Sequence, residues 1–184
     1  MANKYKIIIL DRDGVINEDS DAYIKSPEEW NAIPGSLEAI VKLNKAGYKI
    51  IVISNQSGIA RGYFSEKTLE LIHDKMNQEL AKIGGLVDHI YYCPHHPDDN
   101  CECRKPKTKN LLEVLNKYRL HPKDVLMIGD SWVDMKLAEN VGCDFVLVKT
   151  GKGQKTYINH KKELTKAFIF DNLAEVVAKK LNIR

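Results

Sequence analysis

Six short apolar runs punctuate this chain, at residues 6–10, 49–53, 89–92, 125–128, 145–148 and 167–170, and stretches of helical periodicity separate them. Leu37, Ile40, Val41 and Leu43 form one apolar stripe, with Ser36 as its expected cap and Gly47 as its stop. Leu69, Ile72, Met76, Leu80 and Ile83 form a second, between Ser65 and Gly84-Gly85. Leu111, Leu112 and Leu115 mark a third over 109–118. Met135, Leu137 and Ala138 mark a fourth that ends at Gly142, and a last helix is expected after Asn172. Strands that alternate with helices pair in parallel, because each crossover must return the chain to the same end of the sheet. The expected fold is therefore α/β, a three-layer sandwich with helices on both faces of a mostly parallel sheet. Residues 18–34 and 149–166 carry no clear pattern, and neither is long enough for a second domain. One domain over 1–184 is expected.

Composition excludes several classes. With 184 residues, 43% of them hydrophobic, the chain can bury a sizeable core. Charged residues make up 29%, yet the net charge is only +3, so nothing calls for nucleic acid or an anionic membrane as partner. No apolar run approaches the roughly 20 residues of a membrane span. The N-terminal segment reaches Asp11 after only four consecutive apolar residues, whereas a secretory signal needs about 7–15. A cytosolic protein is expected.

The chemistry gathers where strands end. Asp11-Arg12-Asp13-Gly14 directly follows the first run, and strand alternation points Asp11 and Asp13 to the same side at its carboxyl end. Open α/β sheets bind ligands there. Two close carboxylates repel unless a cation or proton relieves them; one can attack an electrophile while the other moves a proton. Ser54-Asn55-Gln56-Ser57-Gly58 ends the second run, where hydroxyl, amide and backbone N–H groups could cradle an anion, although alone such a cluster is more often a plain turn. Arg104-Lys105-Pro106-Lys107 offers a bidentate phosphate grip and a point charge, or simply a solvated surface. Gly129-Asp130-Ser131-Trp132-Val133-Asp134 follows the fourth run and could complete the oxygen shell of a hard cation, or merely supply helix-start acids. Acids, anion donors and one lysine together describe a Mg²⁺-assisted phosphoryl-transfer site.

Cys93, Cys101 and Cys103 lie within eleven residues, with His95 and His96 among them. In a reducing compartment this spacing predicts a closed Cys₃His zinc site of structural type, on a loop spanning about 93–106. Zn²⁺ there would fix Arg104 and Lys105, which follow Cys103 directly.

Asp-x-Asp-Gly, Ser-Asn, Lys and Gly-Asp-x-x-x-Asp, in this order, resemble the haloacid dehalogenase superfamily of phosphatases over nearly the whole chain. The resemblance implies a Rossmann-like haloacid dehalogenase fold without a large cap domain. It implies Asp11 as nucleophile forming an aspartyl-phosphate, and Asp13 as the acid that protonates the leaving alkoxide and then activates water. Ser54 and Lys105 would hold the phosphoryl group. Asp11, the Asp13 backbone carbonyl and Asp130 would bind Mg²⁺, with Asp134 orienting Lys105 or the metal's waters. It also prefers His95 over His96 as the fourth zinc ligand.

The zinc loop ending in Cys-x-Cys-Arg-Lys-Pro is similar to those of heptose-bisphosphate and histidinol-phosphate phosphatases, and its length does not separate the two. Residues 57–64, Ser-Gly-Ile-Ala-Arg-Gly-Tyr-Phe, resemble the heptose group. That likeness implies a small sugar bisphosphate as partner, contacted by Asp19, Ser20, Asp21, Tyr23, Ser54, Asn55, Gln56, Arg61, Arg104 and Lys105. Thr108-Lys109-Asn110 departs from the Pro-Gly turn common in relatives. Two other classes remain: a phospho-Asp receiver module, opposed by the acid at Asp13, and a zinc nucleic-acid binder, opposed by the charge balance. A monomer is expected, because no apolar helix stripe is left over.

Overall fold

The computed structural model describes residues 4–183; the first three residues of the N-terminal segment discussed above lie outside it. Six strands, β1 (Ile7–Leu10), β2 (Lys49–Asn55), β3 (His89–Cys93), β4 (Val125–Gly129), β5 (Asp144–Val148) and β6 (Phe168–Phe170), form one sheet of order β3-β2-β1-β4-β5-β6. Every pairing is parallel, with Leu10 opposite Val52 on one side and Ile128 on the other. β1 is buried on both faces, as a continuous apolar run predicts for a central parallel strand.

Ile8 and Leu10 face the layer of α1 (Ser36–Lys45), α2 (Glu66–Lys82) and α6 (Leu173–Glu175), which a π turn continues over Val176–Lys180. Ile7 and Ile9 face α3 (Lys109–Tyr118) and α4 (Trp132–Val141). The sandwich has the three expected layers. Ser65 caps α2 by accepting from Thr68 N–H, and Gly142 ends α4.

Three local expectations change. Ser36 is the first residue of α1 rather than its cap; its hydroxyl instead donates to the Ile16 carbonyl at 2.6 Å and ties the helix to the loop after β1. Leu112 is exposed, and Val114 takes the core position with Leu111 and Leu115. Residues 149–166 are not patternless: they hold α5 (Gly153–Asn159).

The strand order reverses between β1 and β4, and ligands bind outside the carboxyl ends of strands at such a switch point. The connections after β1 and β2, residues 11–35 and 56–65, hold no helix longer than the single 3₁₀ turn at Pro27–Glu29. The cleft therefore opens directly above the sheet.

Candidate active site

The chain leaves β1 in a tight turn. Asp11 N–H donates to the Ile128 carbonyl of β4, and the Arg12 carbonyl accepts from Val15, Ile16 and Asn17. Gly14 takes a left-handed conformation (φ +80°) against Asp130. The turn leaves Asp11 and Asp13 at the floor of a cavity of about 520 Å³ above the carboxyl ends of the strands.

Asp11 meets Lys105, whose ammonium is buried: it donates to the Ile53 carbonyl at 2.8 Å and forms ion pairs with Asp11 Oδ1 at 2.9 Å and Asp134 Oδ1 at 2.7 Å. Burial works against that charge, but the two carboxylates raise the pKa of Lys105 and keep it protonated. Asp134 is at the third position of α4, where its other oxygen accepts from the Ser131 N–H and hydroxyl in a capping box. Acids four apart at a helix start are expected to share one helical face. In the structure Asp130 precedes the helix and only Asp134 belongs to it.

Asp11, Asp130 and Asp134 place carboxylate oxygens within 4.8 Å of one another. Burial, then the neighbouring charges of Asp134 and Asp13, push Asp11 up to about 7 against the pull of Lys105. Burial and the charges of Asp11 and Asp134 raise Asp130 well above the usual carboxylate range. Three carboxylates against one ammonium leave two uncompensated negative charges, which is the charge a divalent cation supplies. Hard oxygen donors in this number suit Mg²⁺. Asp130 Oδ2 also accepts from Lys152 N–H at 2.7 Å, with Gly14 and Gly151 packed against it so closely that a Cβ on either would overlap it.

Asp13 is neutralised separately. Its carboxylate accepts from Arg12, Asn17 Nδ2 and Gln56 Nε2 at 2.9–3.0 Å. Burial pushes its pKa up, but the Arg12 guanidinium and the amide donors outweigh this and hold it below the usual value.

Seven of the residues expected to meet substrate line the cavity together with Lys105: Asp19, Ser20, Asp21, Tyr23, Asn55, Gln56 and Arg104. Two others do not. Ser54 is buried at the end of β2, with its hydroxyl 3.3 Å from Gln56 Nε2, and Arg61 is exposed outside the cavity. The amides of Asn55 and Gln56 are engaged within the protein: Asn55 binds both the N–H and the carbonyl of Lys105, at 3.0 and 3.1 Å, and Gln56 bridges Asp13 and Arg12. Arg104 has the opposite character. Its Nη1 is buried without a hydrogen-bond partner.

The opposite wall was not anticipated. Lys152, Lys155, Thr156, Asn159 and His160, on and around α5, line the cavity, and Lys152 Nζ pairs with Asp19 at 3.2 Å. Their signal is position: Thr150-Gly151-Lys152 follows β5, and the rule applied to three other strand ends points to it equally.

Beside the cleft, Cys93, His95, Cys101 and Cys103 converge. Sulfur and Nδ1 atoms lie 3.2–3.7 Å apart. A tetrahedral ion about 2.3 Å from each sulfur gives donor–donor edges of about 3.8 Å, so these atoms are spaced to enclose one. His96 turns away, its Nδ1 accepting from Asp98 N–H at 3.4 Å. Asn110 Nδ2 of α3 donates to the Cys103 carbonyl and ties the loop to that helix, and Asn55, which lines the cleft, holds Lys105 at the loop's end.

A family model described as HAD-hydrolase-like matches residues 102–176. The D-glycero-beta-D-manno-heptose-1,7-bisphosphate 7-phosphatase of Pseudomonas putida is 52% identical over 171 residues, 93% of this chain and 97% of that protein. The protein of the same name from Pseudomonas aeruginosa is 48% identical over 172 residues, 94% and 96% of the two chains. The crystal structure of D,D-heptose 1,7-bisphosphate phosphatase from Bordetella bronchiseptica, complexed with magnesium and phosphate, superposes with a TM-score of 0.92 at 46% identity, covering 96% of this chain and 98% of that one.

Proposed function

We propose that this chain, which belongs to the D-glycero-beta-D-manno-heptose-1,7-bisphosphate 7-phosphatase family of haloacid dehalogenase-like hydrolases, removes the C7 phosphate of a heptose 1,7-bisphosphate and leaves the C1 phosphate in place. The observation that carries the chemistry is the buried cluster in which Lys105 joins Asp11 to Asp134, with Asp130 alongside. The relatives' shared name favours the β anomer at C1.

Asp11 attacks phosphorus. Its Oδ1 is fixed by Lys105 and by Arg12 N–H at 2.7 Å, which leaves the other oxygen free to form the aspartyl-phosphate as the bond from phosphorus to the C7 oxygen breaks. Asp13, ionised in the resting site, must take up a proton from solvent as the anionic substrate binds beside it, and gives that proton to the departing alkoxide. It then takes a proton from the water that attacks phosphorus, which splits the acyl-phosphate and restores Asp11. Lys105 neutralises the phosphoryl oxygens, and Asp134 and the Asn55 amide keep it in place. Asp11, the Asp13 backbone carbonyl and Asp130 would hold Mg²⁺, which supplies Lewis-acid charge neutralisation at the phosphoryl group.

The flexible C7 arm reaches Asp11 without a large cap. Selectivity falls to the 19–23 strap, to Arg104, whose buried Nη1 lacks a partner, and to the basic wall of α5. Arg61 and Ser54 lie outside the cavity wall and carry no part of this selectivity. Zn²⁺ at Cys93, His95, Cys101 and Cys103 is structural in this reading and anchors the loop that delivers Arg104 and Lys105. A single-domain monomer in the cytoplasm, with neither nucleic acid nor membrane as partner, completes the proposal; among the described residues no helix is long and apolar enough to cross a membrane, and the four cysteines are unpaired. Initial rates of phosphate release from heptose 1,7-bisphosphate and from histidinol phosphate test it. Preference for the bisphosphate supports the reading, and preference for histidinol phosphate rejects the substrate.

A further inference from the structure

We infer that Arg12 and His73 are the positioning residues for proton transfer by Asp13. The inference rests on the phosphatase reading above and adds two side chains to it. Arg12 lies in the turn just beyond β1, and its side chain reaches His73 of α2, in the layer that Ile8 and Leu10 face, where an apolar residue would be the simple solution. A fully buried guanidinium stands there instead. Burying an ion pair contributes less to stability than a well-packed apolar side chain of similar volume, so folding alone does not account for it.

The contacts of Arg12 say what it does. Nε and Nη2 grip Asp13 Oδ1 at 3.0 and 2.9 Å, and Nη2 also reaches Oδ2 at 2.9 Å. Nη1 points the other way, to His73 Nε2 at 3.3 Å. His73 sits on α2 among Leu69, Ile72 and Met76. Burial, and then the guanidinium itself, depress its pKa to about 3, so the ring is neutral and its Nε2 lone pair can accept. Gln56 closes the frame by donating to Asp13 Oδ2 and accepting from Arg12 Nη2. The frame approaches the carboxylate from the protein side, and 23% of the Asp13 side chain stays exposed. A planar fork anchored at its far end fixes both the rotamer and the plane of the carboxylate, which a lysine's single point charge could not do. His73 therefore couples the register of α2 to the geometry of the acid.

Esters with different leaving groups separate positioning from general support of the fold. An alkyl phosphate such as heptose 1,7-bisphosphate needs a proton as it departs; the nitrophenolate of p-nitrophenyl phosphate does not. Arg12→Lys should lower kcat on the alkyl ester about 10²-fold and His73→Leu about 10-fold, with KM changed less than about twofold, as expected when general acid chemistry is impaired and binding is not. On p-nitrophenyl phosphate both variants should release the first nitrophenolate per site at the wild-type rate. The steady rate should then fall, because water attack still needs Asp13. Asp13→Asn should show the same pattern. Equal loss on both esters and in the burst, or no loss at all, in a variant with wild-type melting temperature assigns Arg12 and His73 to structure alone. If Arg12→Lys does not fold, His73→Leu decides by the same criteria. If the wild-type protein turns over neither ester, the phosphatase reading fails and the inference with it; if only Asp13→Asn shows the pattern, the inference fails alone.

Discussion

Gly14→Ala, compared with Gly47→Ala, separates backbone strain from damage to the cation site. Both glycines have left-handed φ, +80° and +86°, so an added Cβ costs about 1–2 kcal/mol of conformational energy at either position. Gly47 has nothing within 4 Å of the new atom. At Gly14 the new Cβ would lie 2.1 Å from Asp130 Oδ2, whereas ordinary contact begins at 3.4 Å, so the carboxylate must retreat by the difference, about 1.3 Å. Mg²⁺ demands near-octahedral geometry with oxygens at about 2.0–2.1 Å and tolerates no such shift. Disturbing the partners that orient a metal ligand typically costs about 10–100-fold in affinity or activity, and displacing a ligand itself should cost at least that. Two measurements on each variant suffice: melting temperature without added metal, and phosphate release titrated with Mg²⁺. Gly47→Ala should lose only the stability that φ strain costs, Gly14→Ala should lose more because Asp130 is pushed off Lys152 N–H, and only Gly14→Ala should shift the half-saturating Mg²⁺ concentration, upward by about 10-fold or more. A Gly14→Ala protein with wild-type Mg²⁺ dependence would refute the placement of Asp130 in the cation site.

Three further outcomes follow from the same geometry. Arg104→Ala should raise KM more than it lowers kcat, because it removes binding shared by ground and transition states, whereas Lys105→Ala should cut kcat; steady-state kinetics would contradict this if the two effects were exchanged. Protein purified without added metal should carry about one zinc per chain by elemental analysis, as one closed four-ligand site requires, and Cys101→Ser should lower zinc content and melting temperature together. The stabilisation given by Mg²⁺ should grow as pH rises from about 5 to 8. Asp11 is pushed up to about 7 and Asp130 is also raised, so at low pH the cation competes with bound protons. These raised carboxyls favour the metal-free fold below the unfolded value of 3.8, and that advantage is lost as pH climbs through about 7. A Mg²⁺-induced shift in melting temperature that stays flat or shrinks over that range counts against the assignment.

Much of this site is legible from sequence because one rule governs it. Asp11, Ser54 and Asp130 each stand at the end of an apolar run, and parallel strands bring those ends to one edge of the sheet. Lys105 is legible only through its neighbours, the Cys/His loop that ties it down. α5 escapes periodicity because Gly-Gln-Lys-Thr-Tyr-Ile-Asn buries only Gly153 and Thr156 and so has no apolar stripe. The partnership of Arg12 with His73 spans 61 residues and rests on a helical register that no local pattern encodes. Asn55 and Gln56 show the limit from the other side. A polar strand end suggests contact with substrate, but their amides are spent inside the protein, because a buried lysine backbone and a buried carboxylate need partners before any ligand arrives.

The central claim is that Asp11 takes a phosphate from C7 and from nowhere else on the sugar. Phosphorus NMR of heptose 1,7-bisphosphate incubated with the protein and Mg²⁺ reads this directly. The account predicts that the C7 ester resonance disappears as inorganic phosphate grows in, that the C1 resonance remains, and that Asp11→Asn leaves both untouched. Loss of the C1 resonance, or undiminished release by Asp11→Asn, would contradict it.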